Sequence, residues 1–246
     1  MDYPSVSVII PFYNEETVLP RTLPAVHAYL SGRFDDSFEL ILVDDGSTDA
    51  SPEIAGSLQL PHTRVLRTPQ NRGKGHAVRT GMLAATGDIL LFTDCDLAYG
   101  CDVIGKFYDF LVQNPDADMA VGSRAAHPDG YAGYSFFRRL FSRTYRALLR
   151  LFFSLPVSDS QSGIKAFRRE CGHAVFSLCR TDRYAFDFEV IMIGKRLDFS
   201  VREYPVRVLH NEKGKIRLFR DSLRMMRDLF RIRRYVRTIK KPARPT

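Results

Sequence analysis

"GDILLFTDCDLAYG" (residues 87–100) begins as a strand made for a core and ends in acid. Ile89, Leu90, Leu91 and Phe92 form a continuous apolar run, the pattern of a strand buried on both faces. Asp94 and Asp96 follow it with only Cys95 between them. On an extended segment, side chains two residues apart share a face, and a turn at Cys95 brings both carboxylates to one site. Carboxylates held together raise each other's pKa, so the pair needs a positive partner. A hard divalent cation, Mg2+ or Mn2+, meets that need. It takes one or two carboxylates and fills its other positions with the oxygens of a diphosphate.

Upstream, the same alternation of apolar run and helical segment repeats. Strands are expected at 6–10, 38–43, 63–67, 88–93 and 118–124. Helices are expected at 15–31, from Ser51 as N-cap with Pro52 behind it, at 73–86, and at 102–114 with Asp102 as cap. Doubly apolar strands alternating with helices predict an α/β fold, a mostly parallel central sheet with helices on both faces. Ligands of such sheets bind beyond the carboxyl ends of the strands. Those ends read "PFYNEE", "DDGSTD", "TDCD" and "GSR", three of them acidic or polar clusters. Asp44 and Asp45 could accept hydrogen bonds from a ribose hydroxyl or a base N–H, with Gly46 permitting the turn. "NRGKGHA" (71–77) offers Arg72, Lys74 and the N–H groups of a helix start to an anion. It has neither the P-loop pattern nor the third glycine of a dinucleotide fingerprint.

The charge is uneven. Residues 215–246 carry twelve Lys/Arg against two Asp, a net +10, which leaves −2 for residues 1–214 of a chain whose total is +8. Basic amphipathic helices are expected at 136–153, with Arg139, Arg143, Arg146 and Arg150, and at 215–241. In the second, Phe219, Leu223, Met226 and Phe230 follow helical spacing. Apolar faces beside arginines suit an anionic membrane surface better than nucleic acid, whose phosphates do not require an apolar face. The N-terminus does not read as a signal peptide, and no apolar run approaches the roughly 18 residues of a membrane span. Cys95, Cys101, Cys171 and Cys179 lie in no metal-ligand spacing and are expected as reduced thiols.

"VSVIIPFYNEE", "LILVDDGSTD", "NRGKGHAVRTG", "DILLFTDCD" and "VGSR" occur in an order that resembles the family-2 inverting glycosyltransferases of the GT-A fold. "SDSQSGIKAFRRE" and "DRYAFDFEV" look like the members that glucosylate or mannosylate polyprenyl (dolichyl) phosphate. The resemblance covers roughly residues 5–235. It implies a glycosyltransferase domain over 1–214, with a nucleotide-sugar half (1–124) and an acceptor half (125–214), followed by a basic helix and tail (215–246). Pro11, Tyr13, Glu15, Asp44 and Asp45 would hold the nucleoside, with Lys74 near ribose or diphosphate. Asp94, Cys95 and Asp96 would carry the metal–diphosphate. Arg124, with Arg138 or Arg139, would meet the acceptor phosphate, as would Lys215. Gln161, Asp187 and Glu189 would line the sugar and acceptor pocket. UDP-glucose is the favoured donor, GDP-mannose the alternative, and the basic helix would hold the enzyme peripherally on the cytoplasmic face of a membrane. Two rival readings stand beside this one. A saccharide or protein hydroxyl acceptor would need Asp187 or Glu189 as general base. A non-catalytic basic binding protein would leave Asp44, Asp45, Asp94 and Asp96 unused.

Overall fold

The computed structural model describes residues 4–131, 153, 155–209 and 218–241, with side chains of the last segment described from 227. Seven strands form one sheet in the order β3-β2-β1-β4-β6-β5-β7. They are β1 (Val6–Phe12), β2 (Phe38–Asp44), β3 (Thr63–Arg67), β4 (Ile89–Thr93), β5 (Met119–Ser123), β6 (Ile164–Arg168) and β7 (Val201–Pro205). Helices α1 (Leu19–Phe34), α2 (Ser51–Ser57) and α4 (Asp102–Gln113) cover one face. The other face is covered by α3 (Lys74–Ala84), α5 (Arg169–Leu178), α6 (Phe186–Arg196) and α7 (Leu218–Thr238). The faces divide by alternation along each strand: Leu91 and Ala166 enter one core, Leu90, Phe92 and Phe167 the other.

Two features of the topology place the site. β1 pairs in parallel with both β2 and β4, so the strand order reverses between them. A crevice opens at such a switch point, beyond the carboxyl ends of the strands. β6 runs antiparallel between β4 and β5, with Thr93 opposite Ile164. It therefore starts where β4 stops, and the segment 158–163 arrives at the same edge as the two aspartates.

Local details differ from the sequence expectations. α1 starts at Leu19 rather than residue 15. Residues 14–16 are instead laced to the segment after β2: Asn14 N–H donates to Ser47 Oγ (3.0 Å), Thr48 N–H to Asn14 Oδ1 (2.9 Å) and Glu15 N–H to Ser51 Oγ (2.8 Å). Ser51 thus serves that loop and not its own helix, whose N-cap is Ala50. Asp102 lies inside the first turn of α4 and pairs with Lys106 at 2.6 Å. α7 is docked on the core. Leu229, Ile232, Val236 and Ile239 are buried, Tyr235 Oη donates to Leu178 O (2.7 Å), and Arg196 Nε donates to Ile239 O (2.8 Å). Phe230, expected on the apolar stripe, is exposed and packs at a tilt on Phe153. The helix expected at 136–153, with Arg138 and Arg139, lies outside the described residues except for Phe153, as do Lys215 and the side chains of Phe219, Leu223 and Met226.

Candidate active site

The carboxyl edge of the sheet gathers its charges in two groups. The first surrounds β1 and β2. Asp44 is fully buried; its Oδ1 accepts from Ser47 N–H at 2.8 Å. Its Oδ2 is buried and accepts no hydrogen bond among the described residues, although Arg67 Nε approaches to 3.1 Å. Asp45 does something different. Its two oxygens accept the N–H groups of Arg72 (3.1 Å) and Gly73 (2.6 Å), so it shapes the loop that leads into α3. Gly46 and Gly73 both have positive φ, and a Cβ on Gly73 would strike Asp182 O at 2.6 Å. Pro11 is buried in β1, and Tyr13, just past the carboxyl end of that strand, is 41% exposed.

The second group surrounds the end of β4. Asp94 and Asp96 are both partly exposed, Cys95 between them is buried, and the chain turns at residues 95–96. Asp96 Oδ1 accepts from Ala98 N–H at 3.0 Å. Lys74, the first residue of α3, places Nζ on Asp94 Oδ1. Burial works against the Lys74 charge, but Asp94 and Asp187 outweigh it and hold its pKa above the ordinary lysine value. Gly163 packs against the Asp94 carboxyl so closely that a Cβ there would overlap Oδ2, and its N–H donates to Tyr99 Oη at 3.2 Å. The Lys74 ammonium already offsets part of the negative charge at this edge. Hard oxygen donors from Asp94 and Asp96 fit a divalent ion that brings diphosphate oxygens of its own. Among the described residues, no cluster of three or more His, Cys, Asp or Glu forms an all-protein metal site.

Behind this edge lie carboxylates and bases with fixed partners. Asp187, in the first turn of α6, pairs with Lys165 Nζ, which also donates to Ser162 O at 3.0 Å. Burial raises the Asp187 pKa, with Lys165 and Lys74 opposing. Glu189, in the same first turn, is also buried, and its Oε2 accepts the N–H groups of Arg180 (3.1 Å) and Thr181 (2.8 Å). Arg124, just past β5, is clamped by Asp159: Nε to Oδ2 at 2.6 Å and Nη2 to Oδ1 at 2.9 Å, with Gln161 O accepting a further bond at 3.2 Å. Gln161 thus contributes its carbonyl to the clamp. Sequence reasoning passed over Lys165, Asp159 and Gly163. The one local signal was a lysine interrupting the apolar run "GIKAF".

The family model described as "Glycosyl transferase family 2" matches residues 7–176. A dolichyl-phosphate beta-glucosyltransferase of Drosophila melanogaster is 37% identical over 246 residues, spanning 94% of this chain and 76% of that protein. The Homo sapiens protein of the same name is 33% identical over 241 residues, spanning 93% and 74%. Among solved structures, glucosyl-3-phosphoglycerate synthase from Mycobacterium tuberculosis, in complex with Mn2+, UDP-glucose and phosphoglyceric acid, superposes with a TM-score of 0.70. It is 21% identical, and the match covers 98% of this chain and 81% of that one, a likeness of fold.

Proposed function

We infer that this chain, which belongs to glycosyl transferase family 2, moves glucose from UDP-glucose to a polyprenyl phosphate of the dolichyl type, inverting the anomeric carbon. The observation that carries the reading is the likeness over 94% of the chain to a dolichyl-phosphate beta-glucosyltransferase. The charged switch-point edge supports it.

In this reading Asp44 Oδ2, a buried oxygen that accepts no hydrogen bond among the described residues, receives the nucleoside, and the half-exposed Tyr13 meets the base. Glu15, carried on the laced loop, completes that subsite. Asp45 acts indirectly by fixing the Arg72–Gly73 turn, which delivers Lys74 to Asp94. Asp94 and Asp96 hold the Mg2+ or Mn2+ that comes with the diphosphate. That ion, when bound, neutralises charge developing on the leaving group. Lys74 supplies a second positive charge at the same point. Arg124, aimed by Asp159, orients the acceptor phosphate as a planar donor, and Arg138, Arg139 and Lys215 are its proposed companions.

The acceptor explains why no strong base is needed. A phosphate monoester has its second pKa at about 6, so it is largely ionised near neutral pH and is a ready nucleophile. A hydroxyl acceptor would need a positioned carboxylate. Glu189 is already committed to two backbone N–H groups, and Asp187 to Lys165. Attachment to the cytoplasmic face of an anionic membrane, through the outer arginines of α7, would bring the lipid phosphate to the site.

The test is transfer of radiolabelled glucose from UDP-glucose into an organic-extractable polyprenyl phosphate glucoside of β configuration, with GDP-mannose as competing donor. Glucolipid formation is expected. Transfer only to a saccharide hydroxyl, abolished by Glu189→Gln or Asp187→Asn, would overturn the lipid-phosphate reading. Transfer only from GDP-mannose would overturn the sugar.

A further inference from the structure

Lys165 sits in the middle strand of an antiparallel pair of ladders, opposite Phe92 on β4 and Val121 on β5. Its side chain is fully buried. The ammonium has Asp187 Oδ1 and Ser162 O as acceptors and lies 5.3 Å from the centroid of the Phe92 ring. An ammonium so enclosed is a poor way to stabilise a core. A buried ion pair is often matched or bettered by well-packed apolar residues, whereas removing one partner strands a charge.

The position of Asp187 supplies a reason for the lysine. Asp187 acts electrostatically on two lysines, Lys165 and Lys74, and on Asp94. Lys74 in turn feels Asp94 and Asp187. Charges therefore alternate from the core to the crevice: Lys165, Asp187, Lys74, Asp94. Without Lys165, the Asp187 carboxylate would have Lys74 as its remaining cationic partner here and would compete with Asp94 for it. With Lys165 in place, the Asp187 demand is met from below and Lys74 stays on the crevice side.

We propose that Lys165 is a positioning residue for the donor: through Asp187 it holds the Lys74 ammonium against Asp94, where that ammonium can meet a nucleoside diphosphate arriving with its metal. The inference rests on the donor site proposed above, and the experiment separates the two. UDP binding to the full chain is measured by titration calorimetry with and without Mn2+. Wild type should bind UDP more tightly with Mn2+; no binding in either condition would remove the donor reading itself. Lys165→Met should weaken binding of UDP with Mn2+ by roughly 10–100-fold, the usual effect of residues that orient first ligands. In a Lys74→Met background the same substitution should have little further effect, because the lysine through which it acts is gone. Phe92→Leu, a core change beside Lys165 that leaves the ion pair intact, should leave the Mn2+ effect on UDP binding as in wild type. Should Lys165→Met not fold, Lys165→Gln replaces it in the same cycle, and Lys165→Arg should restore binding to near wild type. Wild-type affinity in a folded Lys165→Met or Lys165→Gln chain would overturn the proposal. So would an equal loss with and without Lys74.

Discussion

At the residue scale, the proposed donor site turns on two carboxylates and the atoms packed against them. A ligand that binds only the folded chain, present at 100 times its Kd, stabilises it by about 2.7 kcal/mol. Asp94→Asn and Asp96→Asn should each abolish the Mn2+-dependent part of the thermal shift given by UDP, with unligated stability close to wild type. Gly163 tests the same site from below. A Cβ there would overlap Asp94 Oδ2, so Gly163→Ala should push the carboxyl aside and lose the Mn2+-dependent shift. Gly32→Ala, in α1 with open space around the new methyl, is the control and should be neutral or stabilising by about 0.5–1 kcal/mol. Asp159 makes a prediction in pH. Burial works against its charge, but Arg124 and the N–H donors outweigh burial and hold its pKa below the usual carboxylate value. A depressed carboxylate contributes stability above its unfolded pKa of about 3.9 and loses it as pH falls through the lower folded value. Acid denaturation monitored by circular dichroism should therefore be shallower below about pH 4 in Asp159→Asn, which is also less stable at neutral pH.

At the element scale, the five strands β1–β5 and the helices between them were legible because each rests on a local pattern. The apolar runs at Val6, Phe38 and Ile89 are buried along nearly their whole length, as doubly covered strands must be. That alternation predicts a covered parallel α/β sheet, and the resemblance of the motifs implies its GT-A form. The antiparallel course of β6 was not legible: its neighbours β4 and β5 are distant in sequence, and no residue in "IKAFR" states a direction. The acidic strand ends could be read for the same reason as the strands. The clamp on Arg124 could not, since Asp159 is 35 residues away. α7 shows the limit of periodicity. Its sequence holds two apolar stripes of helical spacing. The one buried over the described side chains is Leu229, Ile232, Val236 and Ile239, phased differently from the stripe ending in Phe230. Leu229 is wholly buried, so Leu229→Ala should cost about 2–5 kcal/mol in urea unfolding. A chain cut before α7 would lose this packing. Deletion of the helix therefore reports on folding and not on attachment to a membrane.

At the scale of the whole molecule, the same burial changes how a basic C-terminal segment can meet lipid. The apolar side of α7, over its described residues, is spent on the protein core. Arg227, Arg231, Arg234, Arg237, Lys240 and Lys241 remain exposed on the outside, with Phe230 among them. No helix among the described residues is long and apolar enough to cross a membrane. Attachment by this surface would therefore be chiefly electrostatic, at about 1 kcal/mol for each basic residue near an anionic leaflet. Such attraction is screened beyond about 10 Å at 0.1 M salt. The triple change Arg227→Gln, Arg231→Gln, Arg234→Gln removes about 3 kcal/mol of attraction on that scale. That corresponds to roughly a 100-fold fall in vesicle partitioning, since about 1.4 kcal/mol is tenfold. Exposed substitutions usually move stability by no more than about 0.5 kcal/mol each, so the melting curve should stay near wild type. Cosedimentation with phosphatidylserine-containing vesicles, at low and high salt, measures the effect. Wild type should bind, lose binding in high salt and ignore neutral phosphatidylcholine vesicles. Equal sedimentation of wild type and the triple variant would exclude this face of α7 as the membrane contact. The attachment would then have to come from another part of the chain.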